Sequence, residues 1–153
     1  MEIIFKKTSL EDLKETIELC NEVFEETTNL EFAKKVFEST ENDPNQIYIN
    51  GYVDGKIIAH TKLTIIPTIY EEMNTYAIIN HFCVKKEYRR QHIGIKLLEE
   101  IMVICKEKNC TSIKLWSKNF RIPAHSCYDK FGFKKLDAGF FEKEVWKILW
   151  KRN

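Results

Sequence analysis

The sequence predicts an α/β fold of the α+β kind, and three observations predict it. Two strand-like runs, Gln46–Val53 and Lys56–Ile66, flank Asp54-Gly55, a strong signal for an antiparallel hairpin. A third run, Tyr76–Val84, is apolar on both parities, as expected of a central strand covered on both faces. Helical stripes lie before and after this block of strands, so the order of elements is mixed.

Taken in order, residues 2–6 read as a short first strand. Ser9 caps a helix, with Asp12 three residues on. Leu10, Leu13, Ile17, Cys20 and Phe24 recur at helical spacing and form its buried face. A second, short helix runs through Ala33, Val36 and Phe37, and Asn42, Asp43, Pro44 and Asn45 form a turn cluster. After the hairpin, residues 67–74 make a polar connection into Tyr76–Val84. Residues 93 to about 108 form an amphipathic helix with Ile93, Leu97, Ile101 and Ile104 or Cys105 on its inner stripe. Residues 111–116 read as a strand. Residues 123–131 read as a short helix with Pro123 at its start and Gly132 as its stop. Residues 140–150 read as a last strand with Trp146, Ile148 and Trp150 on one face. With no linker, repeat or low-complexity tract, residues 1–153 read as one domain.

Composition narrows the function. A chain of 153 residues can bury a core without disulfides or a metal. Charged residues make up 31% and the formal net charge is +1, so no nucleic-acid partner is expected from bulk electrostatics. The cysteines, Cys20, Cys83, Cys105, Cys110 and Cys127, are odd in number and include no CxxC pair. Neither a disulfide framework nor a zinc site is expected, and buried reduced thiols of a cytoplasmic protein are the preferred reading. The start, MEIIFKKTSLEDL, has no basic leader followed by an apolar core, and no apolar run nears the ~20 residues that span a bilayer. Neither a signal peptide nor a membrane partner is expected.

One segment carries chemistry. Tyr76–Val84 leads through Lys85-Lys86-Glu87-Tyr88 into Arg89-Arg90-Gln91-His92-Ile93-Gly94 and straight into a helix. The first N–H groups of a helix lack partners inside it and sit at the positive end of its dipole, so they bind anions. Gly94 would let a diphosphate approach the backbone. Each charge-assisted hydrogen bond there would contribute ~1.5–3 kcal/mol. No G-K-[ST] and no GxGxxG is present, which excludes a P-loop and the dinucleotide fingerprint. Taken alone, a basic loop with one glycine is better explained by solvated arginines.

With this segment the sequence resembles the GNAT superfamily of acetyltransferases, whose loop reads Arg or Gln, two residues, Gly, one residue, then Gly or Ala. Arg89 and Gly94 match, and His92 stands where the first glycine usually is. Downstream, Ala124-His125-Ser126-Cys127-Tyr128-Asp129-Lys130-Phe131-Gly132-Phe133 is similar to the family's A-x-x-x-Y-E-K-x-G-F helix and turn. The element order agrees along nearly the whole chain. The resemblance implies a mixed, mostly antiparallel sheet of six to seven strands, about four helices on both faces, and two central strands splayed around the pantetheine arm. It implies acetyl-CoA as co-substrate and no metal. It implies pantetheine contacts from the backbone of Phe82, Cys83 and Val84, and pyrophosphate contacts from the backbone of Arg89, Arg90, Gln91, His92, Ile93, Gly94 and Ile95. Arg121 stands near a family asparagine that contacts coenzyme A.

Acetyl transfer to an amine needs a neutral amine, a stabilised oxyanion and a protonated leaving thiolate. The resemblance implies an oxyanion donor within residues 82–84 and Tyr128 as the group that protonates or hydrogen-bonds the sulfur. A phenol of ordinary pKa ~10 can donate at neutral pH. Ala124, Cys127, Tyr128 and Phe131 also share a helical stripe, which would make Tyr128 plain core. Many relatives carry Glu where this chain has Asn80, which cannot take a proton; His81 could. Neighbours in a regular strand point to opposite faces, so Asn80 and His81 would both face the site only across a bulge. A core histidine and a water chain stay open as alternatives. His60 has no recognisable partner and receives no role.

The expected acceptor is a small-molecule amine attacked directly in a ternary complex. Arg-x-x-His-Ile-Gly is similar to the Arg-x-x-Gln-Leu-Gly of aminosugar-phosphate acetyltransferases, which makes glucosamine 6-phosphate one candidate. Asn80-His81, in place of that group's Glu-Asp, stands against it. Residues 67–74, with Glu71 and Glu72, are expected near the acceptor side. A protein N-terminus or lysine as acceptor, and a non-catalytic acyl-CoA-binding module, remain the alternatives. A homodimer is a possible assembly.

Overall fold

A computed structural model of the chain describes residues 1–119 and 121–146. Among them five strands form one sheet in sequence order: β1 (Ile4–Lys7), β2 (Gln46–Val53), β3 (Lys56–Ile66), β4 (Tyr76–Val84) and β5 (Ser112–Lys114). β1 to β4 pair antiparallel and β5 joins β4 parallel. The helices are α1 (Leu13–Phe24), α2 (Leu30–Thr40), α3 (Ile93–Glu107) and α4 (Ile122–Phe131).

The hairpin between β2 and β3 forms where its turn residues allow it. Asp54 at φ 48° and Gly55 at φ 77° are both left-handed, the backbone of the tight turn that matches strand twist. Strand alternation then divides the layers. Ile47, Ile49, Ala77 and Ile79 face α3, which buries Ile93, Leu97, Leu98, Ile101 and Cys105 against them. Burying each such aliphatic side chain stabilises the fold by ~1.5–3 kcal/mol. The intervening residues face α1 and α2. Leu19 and Cys20 of α1 pack on Tyr52, Ile57 and Cys83, and Phe37 of α2 meets the Tyr48 ring at 5.1 Å.

Three local expectations change. The Asp12 N–H does donate to Ser9 Oγ at 3.2 Å, but this closes a turn ahead of the helix, which begins at Leu13. The buried face of α1 is therefore Leu13, Thr16, Leu19 and Cys20, and Leu10 is exposed. β5 is shorter than residues 111–116. The strand expected over residues 140–150 is absent from its described part. Residues 140–146 form no ladder, and Phe140, Phe141, Val145 and Trp146 are exposed, though Phe140 stacks on Trp116 at 5.1 Å. Ile148 and Trp150 lie outside the described residues. Alternating aromatic residues signal a strand, but a strand needs a neighbour to take its hydrogen bonds. The sheet thus has five strands among the described residues, where six to seven are expected.

One feature of the pairing positions the site. β5 pairs with only Tyr76, Ala77 and Ile78 of β4. From Ile79 to Val84 the edge of β4 turned towards β5 has no strand partner among the described residues. This is the splay that the resemblance implies.

Candidate active site

The site grows from an irregularity in β4. Lys62 pairs with His81 and Leu63 with Ile79, so Asn80 is left without a partner in the register. This is the bulge that lets Asn80 and His81 share a face. Before it, Ala77 and Ile79 face α3; after it, Phe82 packs towards α3 and Cys83 towards α1. Asn80 is spent on structure. Its Oδ1 accepts from the Thr64 hydroxyl, which in turn accepts from Lys62 Nζ at 2.8 Å.

His81 is held differently. Its ring lies 4.6 Å from the Phe24 ring, its Nε2 is 3.7 Å from Glu26 Oε2, and its Nδ1 is 3.3 Å from the Asn80 carbonyl oxygen. The core-histidine alternative fails on exposure, because the His81 side chain is 37% exposed. Phe24 and Glu26 were not legible as site residues. Their proximity to His81 spans more than fifty positions and arises only from the packing of α1 on β4. His60 by contrast is buried, and burial, with the His81 charge second, pushes its pKa down to about 3. Its Nδ1 lies 2.8 Å from Asn50 Oδ1, so it belongs to a polar network in the core with Asn50 and Thr16.

Cys83 is buried beneath α1. The neighbouring Cys20 thiol and burial push its own thiol well above the usual range, so it is no nucleophile. Burial likewise raises the Cys127 thiol.

Beyond β4 the chain turns through Lys86–Tyr88 into residues 89–94, the segment expected to bind an anion. Arg90 at φ 63° and His92 at φ 60° are both left-handed, although neither is glycine. Arg89 ahead of them is extended, so the chain reverses sharply into the start of α3. The helical ladder opens with the Lys96 N–H on the His92 carbonyl at 3.1 Å. The N–H groups of Ile93, Gly94 and Ile95 precede that first bond and point out of the helix start. The Ile93 side chain is buried and anchors this end of α3. Arg89, Arg90, Gln91 and His92 are exposed, with Arg89 Nε 3.4 Å from the Val84 carbonyl. The left-handed backbone of His92 also explains why the family pattern has glycine there.

Gly94 has a packing reason as well. A Cβ there would meet Cys127 Sγ at 3.0 Å and the Phe82 ring at 3.8 Å. Its missing side chain lets the first turn of α3 approach α4 and β4.

α4 closes the site. Its end is fixed by the Gly132 N–H on the Asp129 carbonyl and the Phe133 N–H on the Tyr128 carbonyl, both 3.0 Å. Tyr128 sets its ring edge-on to Phe82 at 5.6 Å and to Phe133 at 5.8 Å. Burial, reinforced by Cys127 and opposed by Arg121, pushes the Tyr128 hydroxyl up to about 12. The phenol stays protonated across the physiological range and can act as a donor. Arg121, at the start of α4, lays its guanidinium over the Phe24 ring at 4.8 Å. The structure thus brings Phe82, Gly94 and Tyr128 together on one side of β4, and groups His81 with Phe24, Glu26 and Arg121 on the other. Residues 67–74 join β4 at its Tyr76 end, where β5 is paired rather than splayed.

The open edge of β4 thus runs into a turn with two left-handed residues at the start of α3. Residues 10–133 match the acetyltransferase (GNAT) family model, and the chain belongs to that family. It is therefore an acetyltransferase, and the family uses acetyl-CoA. The fold is shared with a transcriptional regulator from Bacillus halodurans C-125, at 19% identity and TM-score 0.84, over 94% of this chain and 100% of that one. It is shared with an aminoglycoside antibiotic 6'-N-acetyltransferase from Acinetobacter baumannii, at 16% identity and TM-score 0.78, over 94% and 99%. It is also shared with a glucosamine-6-phosphate N-acetyltransferase from Arabidopsis thaliana, at 20% identity and TM-score 0.75, again over 94% and 99%. At such identities the likeness shows the fold alone. Among the described residues, no helix is long and apolar enough to cross a membrane, and no group of three or more His, Cys, Asp or Glu is placed to hold a metal.

Proposed function

We propose that the enzyme transfers the acetyl group of acetyl-CoA to a primary amine of a small molecule, by direct attack in a ternary complex. The observation that carries this reading is the open edge of β4 from Ile79 to Val84, ending at the left-handed turn of Arg90 and His92. One end offers unpaired strand backbone to an amide-bearing arm. The other offers helix-start N–H groups to a diphosphate.

In this reading the backbone of Phe82, Cys83 and Val84 lines the pantetheine arm, and an N–H among them faces the developing oxyanion. The backbone of Arg89, Arg90, Gln91, His92, Ile93, Gly94 and Ile95 takes the pyrophosphate, while Arg121 stacks on Phe24 at the His81 side. His81 Nε2 accepts the proton that the attacking amine loses. Tyr128 donates its hydroxyl proton to the sulfur as the C–S bond breaks. Asn80 orients the bulge and transfers no proton.

Small-molecule acceptors are favoured by the neighbours that acetylate aminoglycosides or glucosamine 6-phosphate. The loop spelling Arg-x-x-His-Ile-Gly supports glucosamine 6-phosphate, and the Asn80-His81 pair argues for a different amine in the same class. The test is incubation with acetyl-CoA and an amine panel that includes glucosamine 6-phosphate, read by product mass. Acetylated product supports the reading. Tight coenzyme binding with no product from any amine overturns it in favour of a non-catalytic acyl-CoA-binding module. Tyr128→Phe is expected to lower kcat by ~10²-fold, with KM for acetyl-CoA little changed, in steady-state kinetics.

A further inference from the structure

We propose that Glu26 is a positioning residue for His81: its carboxylate stands beside the imidazole and stabilises the charge the ring gains when it takes the amine's proton. The proposal deepens the reading of His81 as the base and rests on it.

Glu26 is not a casual surface acid. α1 ends at Phe24, and Glu25 turns the chain with a left-handed backbone at φ 54° and ψ 44°. The Glu26 N–H then donates to the Asn21 carbonyl at 3.0 Å. The Asn21 side chain clamps the next stretch from both sides: Nδ2 donates to the Thr28 carbonyl at 3.2 Å, and Oδ1 accepts from the Thr28 N–H at 3.0 Å. These bonds fix the turn that carries Glu26 over β4. Phe24, from the same turn, supplies the wall of the imidazole at 4.6 Å.

The ring's own contacts define its orientation. Nδ1 lies 3.3 Å from the Asn80 carbonyl oxygen, which can only accept. Both partners only accept, and the tautomer that can take a proton on Nε2 is the one with its own proton on Nδ1. Nε2 lies 3.7 Å from Glu26 Oε2, a separation too long for a hydrogen bond but within ion-pair range. When the amine nitrogen forms its bond to the acetyl carbon, its N–H proton moves to Nε2, and the N–H electron pair stays on nitrogen. The ring becomes cationic opposite a carboxylate.

The other charges around His81 act against this state. Lys62 lies opposite it in the β3 register, and Arg121 sits over the same Phe24 ring. Cys83, beside it on β4, and His60, on β3, are both held neutral by their surroundings at physiological pH. Among the described residues, Glu26 is the anion paired with the ring. Both side chains are more than one third exposed, so solvent screens the attraction and the effect is modest.

The experiment compares the full-length protein with Glu26→Gln and Glu26→Asp. Removing the charge makes the imidazolium less stable, so the acidic limb of the kcat/KM profile moves about half a pH unit towards acid. In Glu26→Gln, kcat falls about tenfold with KM for acetyl-CoA unchanged, and Glu26→Asp recovers part of the loss. A second readout needs no turnover. Diethyl pyrocarbonate modifies only the neutral ring, so in Glu26→Gln the modification of His81 at pH ~6, mapped by peptide mass, becomes about two- to three-fold faster. An unchanged modification rate together with an unchanged pH profile overturns the proposal. So does Glu26→Asp behaving as Glu26→Gln. Should the unaltered enzyme acetylate no amine, the base assignment falls by itself, while the modification rates still decide whether Glu26 governs the ring.

Discussion

The two faces of the sheet are built from alternate residues of the same strands, yet they are held by different chemistry. The α3 face is dry: Leu63, Ala77, Leu97 and Ile101 are completely buried, and aliphatic contact accounts for its cohesion. The α1 face is threaded by polar side chains. Asn50 Nδ2 donates to Thr16 Oγ1 at 2.9 Å and to the Tyr52 hydroxyl at 3.2 Å, Tyr52 donates to Asp12 at 2.6 Å, and His60 meets Asn50 Oδ1 at 2.8 Å. Further along the same face, Lys62, Thr64 and Asn80 form a second chain, and His81 meets Glu26. Apolar packing is tolerant of partner, whereas a buried polar chain is satisfied in only one arrangement. The dry face thus anchors the start of α3, and the polar face holds the register around Asn80 and His81.

Substitutions on each face test this division, and the largest effect is expected on the dry one. Ile101→Ala should cost about 2–5 kcal/mol in urea unfolding, because it leaves a cavity beneath α3. Asn50→Leu should cost about 2–3 kcal/mol by the same measurement, since His60, Thr16 and Tyr52 lose their shared partner. A cost near zero would mean that the polar chain is dispensable and the two faces are equivalent.

Acid should separate the faces without mutation. His60 is neutral in the fold down to about 3, against an unfolded value of 6.5. Below pH 6.5 the unfolded chain binds a proton that the folded chain refuses. The stabilisation is therefore complete above 6.5 and is lost as pH falls towards 3. At pH 5 this amounts to about 2 kcal/mol, read as a lower urea midpoint than at pH 7. His60→Leu should flatten that part of the slope. The smallest effect is expected at the turn of Arg90 and His92. His92→Gly relieves a left-handed residue and should leave stability equal or higher by up to about 1 kcal/mol, with coenzyme affinity retained in calorimetry.

Much of the fold was legible because it rests on local periodicity. β2, β3 and β4 coincide with their apolar runs, and α3 lies where Ile93, Leu97, Ile101 and Cys105 place it. The failures share a cause. α1 begins after Leu10 because a turn closed by Ser9 intervenes, and residues 140–146 make no strand because a ladder depends on a partner that alternation cannot supply. Within the candidate site, the segments Arg89–Gly94 and Ala124–Phe133 were readable because each is a contiguous motif. The bulge at Asn80 could be posed from the sequence but not located, since a register shift belongs to two strands at once. Glu26 gave no signal at all.

The sequence by itself determined the α/β class, the order of helices and strands, and the motif residues that mark the family. All of these follow from side-chain period and from short segments whose chemistry is local. Tertiary structure alone decided that β4 parts from β5 after Ile78, that His60 is core while His81 is half-buried, and that Gly94 admits the approach of α4. It also decided that Glu26 stands opposite His81. Each of these depends on how distant segments meet, and burial, register and the field at an imidazole exist only once they have met.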